Sequence, residues 1–86
     1  MATYKILYWQ EVPSQIRAED ADEEVSLPLS QKFIARIDQL AMQRGLHGGD
    51  EFLAQWRWGE EEERHGSARE VAEAVRAELE SIGPCP

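Results

Sequence analysis

Residues 4–9, YKILYW, constrain the fold of this chain more than any other segment. The six residues are aromatic or aliphatic almost throughout, and successive side chains of an extended chain point to opposite faces. Apolar groups therefore fall on both faces of this segment, which is typical of a strand inside a sheet and not of one at its edge. The segment predicts a central strand.

Two further strands are predicted before residue 30. Residues 12–14 contain a proline, which fixes its own φ and keeps the preceding residue extended. We therefore expect a break there and a second strand over residues 15–19. Residues 25–29 alternate between apolar and polar, as a half-buried strand does. Pro28 has no backbone N–H to donate, so this third strand is expected at a sheet edge.

The first predicted helix begins after Ser30, a suitable N-cap, with Leu29 able to pack against Ile34. Gly45 is expected to end it. Helical spacing defines its apolar face as Phe33, Ile34, Ile37, Leu40 and Ala41. A short second helix is expected after Asp50, and its buried positions are Phe52, Leu53 and Trp56.

A last strand is expected to begin at Arg57, with Gly59 marking a bulge. Ser67 and Glu70 have the spacing of a capping box, in which each side chain accepts the other residue's backbone N–H. They predict a final helix that ends at Gly83 and Pro84. Its inward stripe is Ala68, Val71, Ala72, Val75, Leu79 and Ile82.

The 86 residues have room for one domain. The predicted order β-β-β-α-α-β-α gives an α+β fold, with a small, mainly antiparallel sheet of about three to four strands and two to three helices packed on one face. We expect six residues to be buried: Phe33, Ile37, Leu40, Val71, Val75 and Leu79.

The net charge of −8 repels phosphate backbones and anionic lipid heads, so neither nucleic acid nor a membrane is an expected partner. The N-terminal residues lack the apolar run of a signal peptide, and the only cysteine, Cys85, permits no disulfide within one chain. We therefore expect a cytoplasmic protein.

Residues 56–66, WRWGEEEERHG, hold the candidate site residues. Trp58 and Trp9, with Arg57 or Tyr8 nearby, can form an exposed partner-binding patch with Glu61 and Glu62 on its rim. The alternative is that the two tryptophans complete the core. The four glutamates at 60–63 alternate between two faces and do not converge as calcium ligands must, so a solvated acidic face is expected.

No set of side chains has the spacing of a catalytic dyad or triad, so the sequence favours a role without catalysis and without a cofactor. His47 and His65 lie eighteen positions apart in the sequence. With Glu62 they form the alternative, a metal site in a metal-dependent accessory protein or small enzyme.

The segments YKILYWQEVPSQIRAED, WRWG and ERHGSAREVAEAVRAELE resemble the bacterial virulence factor domain family. The resemblance runs from Tyr4 to about Leu79. It implies a modular intracellular domain that works beside other domains or proteins, as in conserved virulence factor C, where a similar segment accompanies a domain resembling Nif-type iron–sulfur scaffolds. It brings no reaction and no catalytic residue.

The expected function is therefore a non-catalytic interaction or accessory domain whose protein partner has a basic or apolar surface. The alternative is a metal-dependent or iron–sulfur-related accessory protein.

Overall fold

The computed structural model describes residues 1–46 and 48–83. The strands are β1 (Ala2–Trp9), β2 (Val12–Glu19), β3 (Glu24–Pro28), β4 (Trp56–Trp58) and β5 (Glu62–Arg64), and the helices are α1 (Gln31–Gln43), α2 (Gly49–Leu53) and α3 (Ala68–Ile82). The α+β class and the predicted order of elements are confirmed, and β5 is an additional short strand after β4. His47, Pro84 and Cys85, which the sequence analysis singled out, lie outside the described residues.

The sheet is antiparallel and runs in the order β3-β2-β1-β4, with β5 also pairing with β1. β1 therefore has β2 on one side and both β4 and β5 on the other, which confirms the prediction of a central strand. β3 lies at the opposite edge, where Pro28 needs no N–H partner.

β4 and β5 are two parts of one interrupted strand along β1. Trp58 pairs with Leu7 and Glu62 pairs with Tyr4, so four steps along the outer chain match three along β1. One extra residue is therefore accommodated between the two strands, as in a β-bulge. The N–H of Gly59 still donates to the carbonyl oxygen of Ile6 at 2.8 Å, so the bulge predicted at this glycine is present.

The predicted break at residues 12–14 is wrong, because Pro13 lies within β2. The chain turns at Gln10 and Glu11 instead, and Gln10 adopts a left-handed φ of 53°. The register shifts where Leu7 pairs with Gln15 and Tyr8 with Pro13, so Ser14 has no partner on β1. This second bulge lets a strand pass through a proline that cannot donate to the ladder.

Most of the predicted core is confirmed. Phe33, Ile37, Leu40, Val71 and Val75 are buried, and Leu79 is half-buried against them. Three residues expected inside face solvent instead, because each lies at the margin or end of its helix: Ile34 is 45% exposed, Leu53 64% and Ile82 74%.

The two long helices are fixed by specific hydrogen bonds at their ends. The predicted capping box of α3 is present, with Glu70 N–H donating to Ser67 Oγ at 3.2 Å and Ser67 N–H donating to Glu70 Oε1 at 3.0 Å. Ser30 begins α1 in another way, because its N–H and hydroxyl both donate to the Glu80 carboxylate of α3 at 2.7 Å. At the other end of α1, the glycine termination predicted at Gly45 is confirmed by its φ of 68°.

Asp20 joins the β2–β3 loop to α3. One carboxylate oxygen accepts the N–H of Ala68, the first residue of α3, at 2.7 Å, and the other accepts those of Asp22 and Glu23. These three bonds, that from Ala68 first, hold the pKa of the Asp20 carboxyl below its usual value.

In the described part of the chain, none of the helices combines the length and apolar content needed to span a membrane.

Candidate partner-binding surface at the β4–β5 edge

Trp9 is fully buried, with 0% of its surface exposed, so its assignment to an exposed patch is wrong. The centre of its ring lies 5.3 Å from the centre of the Phe52 ring. The rings of Phe52 and Trp56 meet edge to face, with their centres 6.0 Å apart. Trp9 is buried because Phe52 of α2 and Trp56 pack against this end of β1. The alternative, that this tryptophan belongs to the core, is therefore confirmed for Trp9.

Trp58 lies on the outer strand and is 41% exposed. The Lys5 ammonium lies 4.8 Å from the centre of its indole ring, a cation–π distance. The neighbouring residue Arg57 is also exposed, and its guanidinium carbon lies 4.9 Å from the centre of the Tyr8 ring. Successive strand residues point to opposite faces, so Arg57 and Trp58 occupy two sides of the same edge and not one patch.

On the Arg57 side lies a cavity of about 380 Å³, which we call the tyrosine groove. Its lining residues are Tyr4, Ile6, Tyr8, Glu11, Arg57, Gly59, Glu60 and Glu62. Gly59 matters for its shape, because a Cβ at this position would approach the Tyr8 ring to 2.9 Å. The glycine therefore allows the ring to lie against the backbone of the outer strand.

A hydrogen bond and a salt bridge fix the end of the groove that lies at Tyr4. The Tyr4 hydroxyl donates to Glu62 Oε2 at 3.0 Å, and burial followed by this carboxylate raises the pKa of Tyr4. Arg64 lies 5.6 Å from the Tyr4 ring centre and forms a two-pronged salt bridge with Glu78 of α3, at 2.7 and 2.8 Å. That guanidinium lowers the pKa of Glu78, so β5 is tied to α3 by a charged pair.

The opposite end of the groove is tied to α1. Arg44, at the end of α1, binds both carboxylate oxygens of Glu11, at 2.7 and 3.1 Å, and also donates to the side chain of Gln10. The hydrogen bonds from Arg44 lower the pKa of Glu11. The Glu11 carboxylate therefore has its own cation outside the groove.

On the Trp58 side, a smaller cavity of about 240 Å³ is lined mainly by charged residues, and we call it the charged hollow. Its lining residues are Thr3, Tyr4, Lys5, Arg17, Glu19, Glu24 and Glu61. Arg17 and Glu24 form a salt bridge across it at 2.7 Å. Lys5 thus lies between the indole of Trp58 and a region of mixed charge.

The glutamates of residues 60–63 are all exposed. Glu60 and Glu62 line the tyrosine groove, whereas Glu61 lines the charged hollow. Their side chains therefore divide between two surfaces, as the alternation of an extended chain predicts. Of the predicted partner-binding residues, the structure places Arg57 and Glu62 on one side, and Trp58 and Glu61 on the other.

The alternative metal site was built on His47, His65 and Glu62. His47 lies outside the described residues, and His65 is exposed after β5. Within residues 1–46 and 48–83, no group of three or more His, Cys, Asp or Glu side chains is placed to hold a metal ion.

Sequence reasoning did not assign Tyr4 and Gly59 to the site, and it named Tyr8 only as a neighbour of the tryptophans. The pattern indicated a strand for Tyr4 and a bulge for Gly59. One signal could have found them, because the tyrosines are four residues apart and lie on the same face of a strand. The pairing of this face with the glycine of the outer strand, however, depends on the register of β1 with β4.

No match was found among curated proteins or among solved structures. A family model described as "Virulence factor" matches residues 7–82, which include all the described helices and strands except residues 2–6 of β1. The chain therefore belongs to the virulence factor family.

Proposed function

We propose that this protein is a non-catalytic interaction domain that docks on a partner protein through the β4–β5 edge. The observation that carries the proposal is the exposed Trp58 on the outer strand, with Lys5 over its ring and the exposed Arg57 on the opposite face of the same strand. Tryptophan, tyrosine and arginine are the residues that concentrate binding energy in protein interfaces. Aromatic side chains are enriched at protein interfaces, so an exposed tryptophan at a sheet edge supports contact with another protein.

The side chains at this edge are already held in place. The ammonium of Lys5 lies over the indole of Trp58, and Arg57 lies over Tyr8. Side chains that are ordered before association lose less conformational entropy on binding. This preorganisation supports the use of Trp58 as an anchor residue.

Charge supports a partner with a basic surface. The chain carries a net charge of −8, and four consecutive glutamates follow Trp58 and Gly59. Carboxylates at the rim of an interface mainly accelerate encounter with a positively charged partner. The proposal includes a cytoplasmic setting, which is supported by the presence of a single cysteine in the sequence.

The test begins with identification of the partner by cross-linking of the untagged protein in cells. Titration calorimetry then compares wild type with Trp58→Ala and with Ile34→Ala, a matched control because Ile34 is similarly exposed but lies on α1. We expect Trp58→Ala to weaken association by roughly 2 kcal/mol or more while the domain stays folded. The proposal fails if no protein is cross-linked specifically, or if both variants bind as wild type does.

A further inference from the structure

The tyrosine groove lies on the same edge as Trp58 but opens on the other side of the strand, beside Arg57 and Gly59. Its volume of about 380 Å³ falls in the range of protein ligand pockets, roughly 300–1,000 Å³. Ile6 contributes an apolar side chain, and the two tyrosines contribute aromatic rings. A long side chain with an apolar stem fits such a groove.

The groove has an excess of negative charge. Three carboxylates line it, from Glu11, Glu60 and Glu62, against the single guanidinium of Arg57. Arg44 lies behind Glu11 and compensates a second carboxylate. One negative charge thus remains without a cation among the groove-lining residues and Arg44. One positive charge from a ligand would neutralise this remaining carboxylate.

The two tyrosine rings of the groove already carry guanidinium groups of this chain. Arg57 lies 4.9 Å from the centre of the Tyr8 ring and Arg64 lies 5.6 Å from that of Tyr4, both within cation–π range. An incoming side chain therefore meets the rings with its apolar stem, while its charged head meets the carboxylates. The Tyr4 hydroxyl is engaged by Glu62, which keeps that carboxylate at the groove wall.

We propose that the tyrosine groove binds one lysine or arginine side chain of a basic partner protein, which reaches around the strand edge to contact Trp58 on the other face. The carboxylates supply charge-assisted hydrogen bonds to the cationic head, and Ile6 with the tyrosine rings packs against its apolar stem. This inference rests on the proposed function, because it names the chemistry by which the same edge recognises its partner.

The test is an NMR titration of the ¹⁵N-labelled full chain with an oligo-arginine peptide and with the matched oligo-citrulline peptide, which has the same shape and no charge. Free arginine is titrated separately. We expect the arginine peptide to shift the amide signals of Tyr8, Gly59, Glu60 and Glu62 most strongly, and the citrulline peptide to shift them much less.

Two double variants have the same charge change and different positions. Glu60→Gln with Glu62→Gln removes two groove carboxylates, whereas Glu23→Gln with Glu73→Gln removes two exposed carboxylates elsewhere. We expect the groove variant to weaken peptide binding roughly two- to fivefold more than the control, the effect of one solvent-exposed ion pair. Circular dichroism spectra of both variants check that they stay folded.

The inference is overturned if the shifts spread evenly over the acidic surface, if citrulline binds as arginine does, or if the two double variants weaken binding equally. Free arginine binding as tightly as the peptide also overturns it, since the groove would then be a small-molecule site. Failure of the groove and failure of the proposed function are distinguishable. If Trp58→Ala abolishes partner binding while the groove variant equals its control, the interaction role stands and only the groove assignment fails.

Discussion

The indole N–H of Trp9 donates a hydrogen bond to the backbone carbonyl oxygen of Phe52 at 3.0 Å. The two residues are 43 positions apart in the chain, so this bond joins the end of the central strand to the short helix α2. Phe52 then packs against Trp56, the first residue of β4. The position of the outer strand therefore depends on a buried tryptophan in β1.

Replacement of Trp9 by alanine is expected to reduce the free energy of unfolding by about 3–5 kcal/mol, the cost of removing a large buried aromatic side chain. Trp58→Ala is the matched control, because the same substitution at a partly exposed site is expected to cost less than about 1 kcal/mol. Urea denaturation followed by far-ultraviolet circular dichroism measures both. Equal effects of the two substitutions would contradict the assignment of Trp9 to the core.

Asp20 is expected to make stability depend on pH. Its pKa is lowered in the folded state, so it stabilises the fold above the unfolded pKa of about 3.9, and this contribution is lost as the pH falls through the folded pKa. Asp20→Asn is therefore expected to be less stable than wild type at neutral pH, with the difference vanishing in strong acid. Thermal unfolding between pH 2 and pH 7 measures this, and a difference independent of pH would refute it.

Removal of the α3 cap by Ser67→Ala is expected to reduce the free energy of unfolding by about 0.5–2 kcal/mol, because the N–H of Glu70 loses its acceptor. Ser81→Ala is the control, since Ser81 is an exposed residue in the last turn of the same helix and should show no loss. Chemical denaturation of both variants checks the expectation. A larger loss at Ser81 would indicate that helix propensity, and not the cap, dominates.

The rim glutamates are expected to affect the speed of association more than its strength. Replacement of Glu61 and Glu63, neither of which lines the tyrosine groove, by glutamine should mainly slow association with the partner and flatten its dependence on salt, because long-range attraction is screened by ions. Stopped-flow kinetics at several salt concentrations measure both quantities. The steering role is excluded if only the dissociation rate changes.

Much of the fold could be predicted because local patterns and tertiary structure agree. The apolar run in residues 4–9 predicts a strand with neighbouring strands on both sides, as the sheet shows. The capping box and the apolar stripe of α3 are local patterns, so they predict the helix without knowledge of what packs against it. The break expected at Pro13 is absent because the effect of a proline depends on its context. Proline ends many strands, yet here a bulge in β2 absorbs it, and a bulge is decided by pairing with β1.

The candidate site was harder to predict than the fold. The sequence predicts that Arg57 and Trp58 lie in the last strand. It does not predict that Trp9 is covered by α2 while Trp58 stays exposed. Both are strand-favouring tryptophans, and their difference arises from which element packs over them. Neither composition nor periodicity reports such long-range packing.

The extra residue between β4 and β5 has a consequence for how this molecule behaves among its own copies. A long, regular outer strand presents a continuous row of free amide groups, on which another chain can polymerise. Here the row is interrupted after three residues, and the interruption is followed by exposed glutamates that repel each other between copies. The edge is thus suited to recognition by side chains while being a poor template for fibril growth.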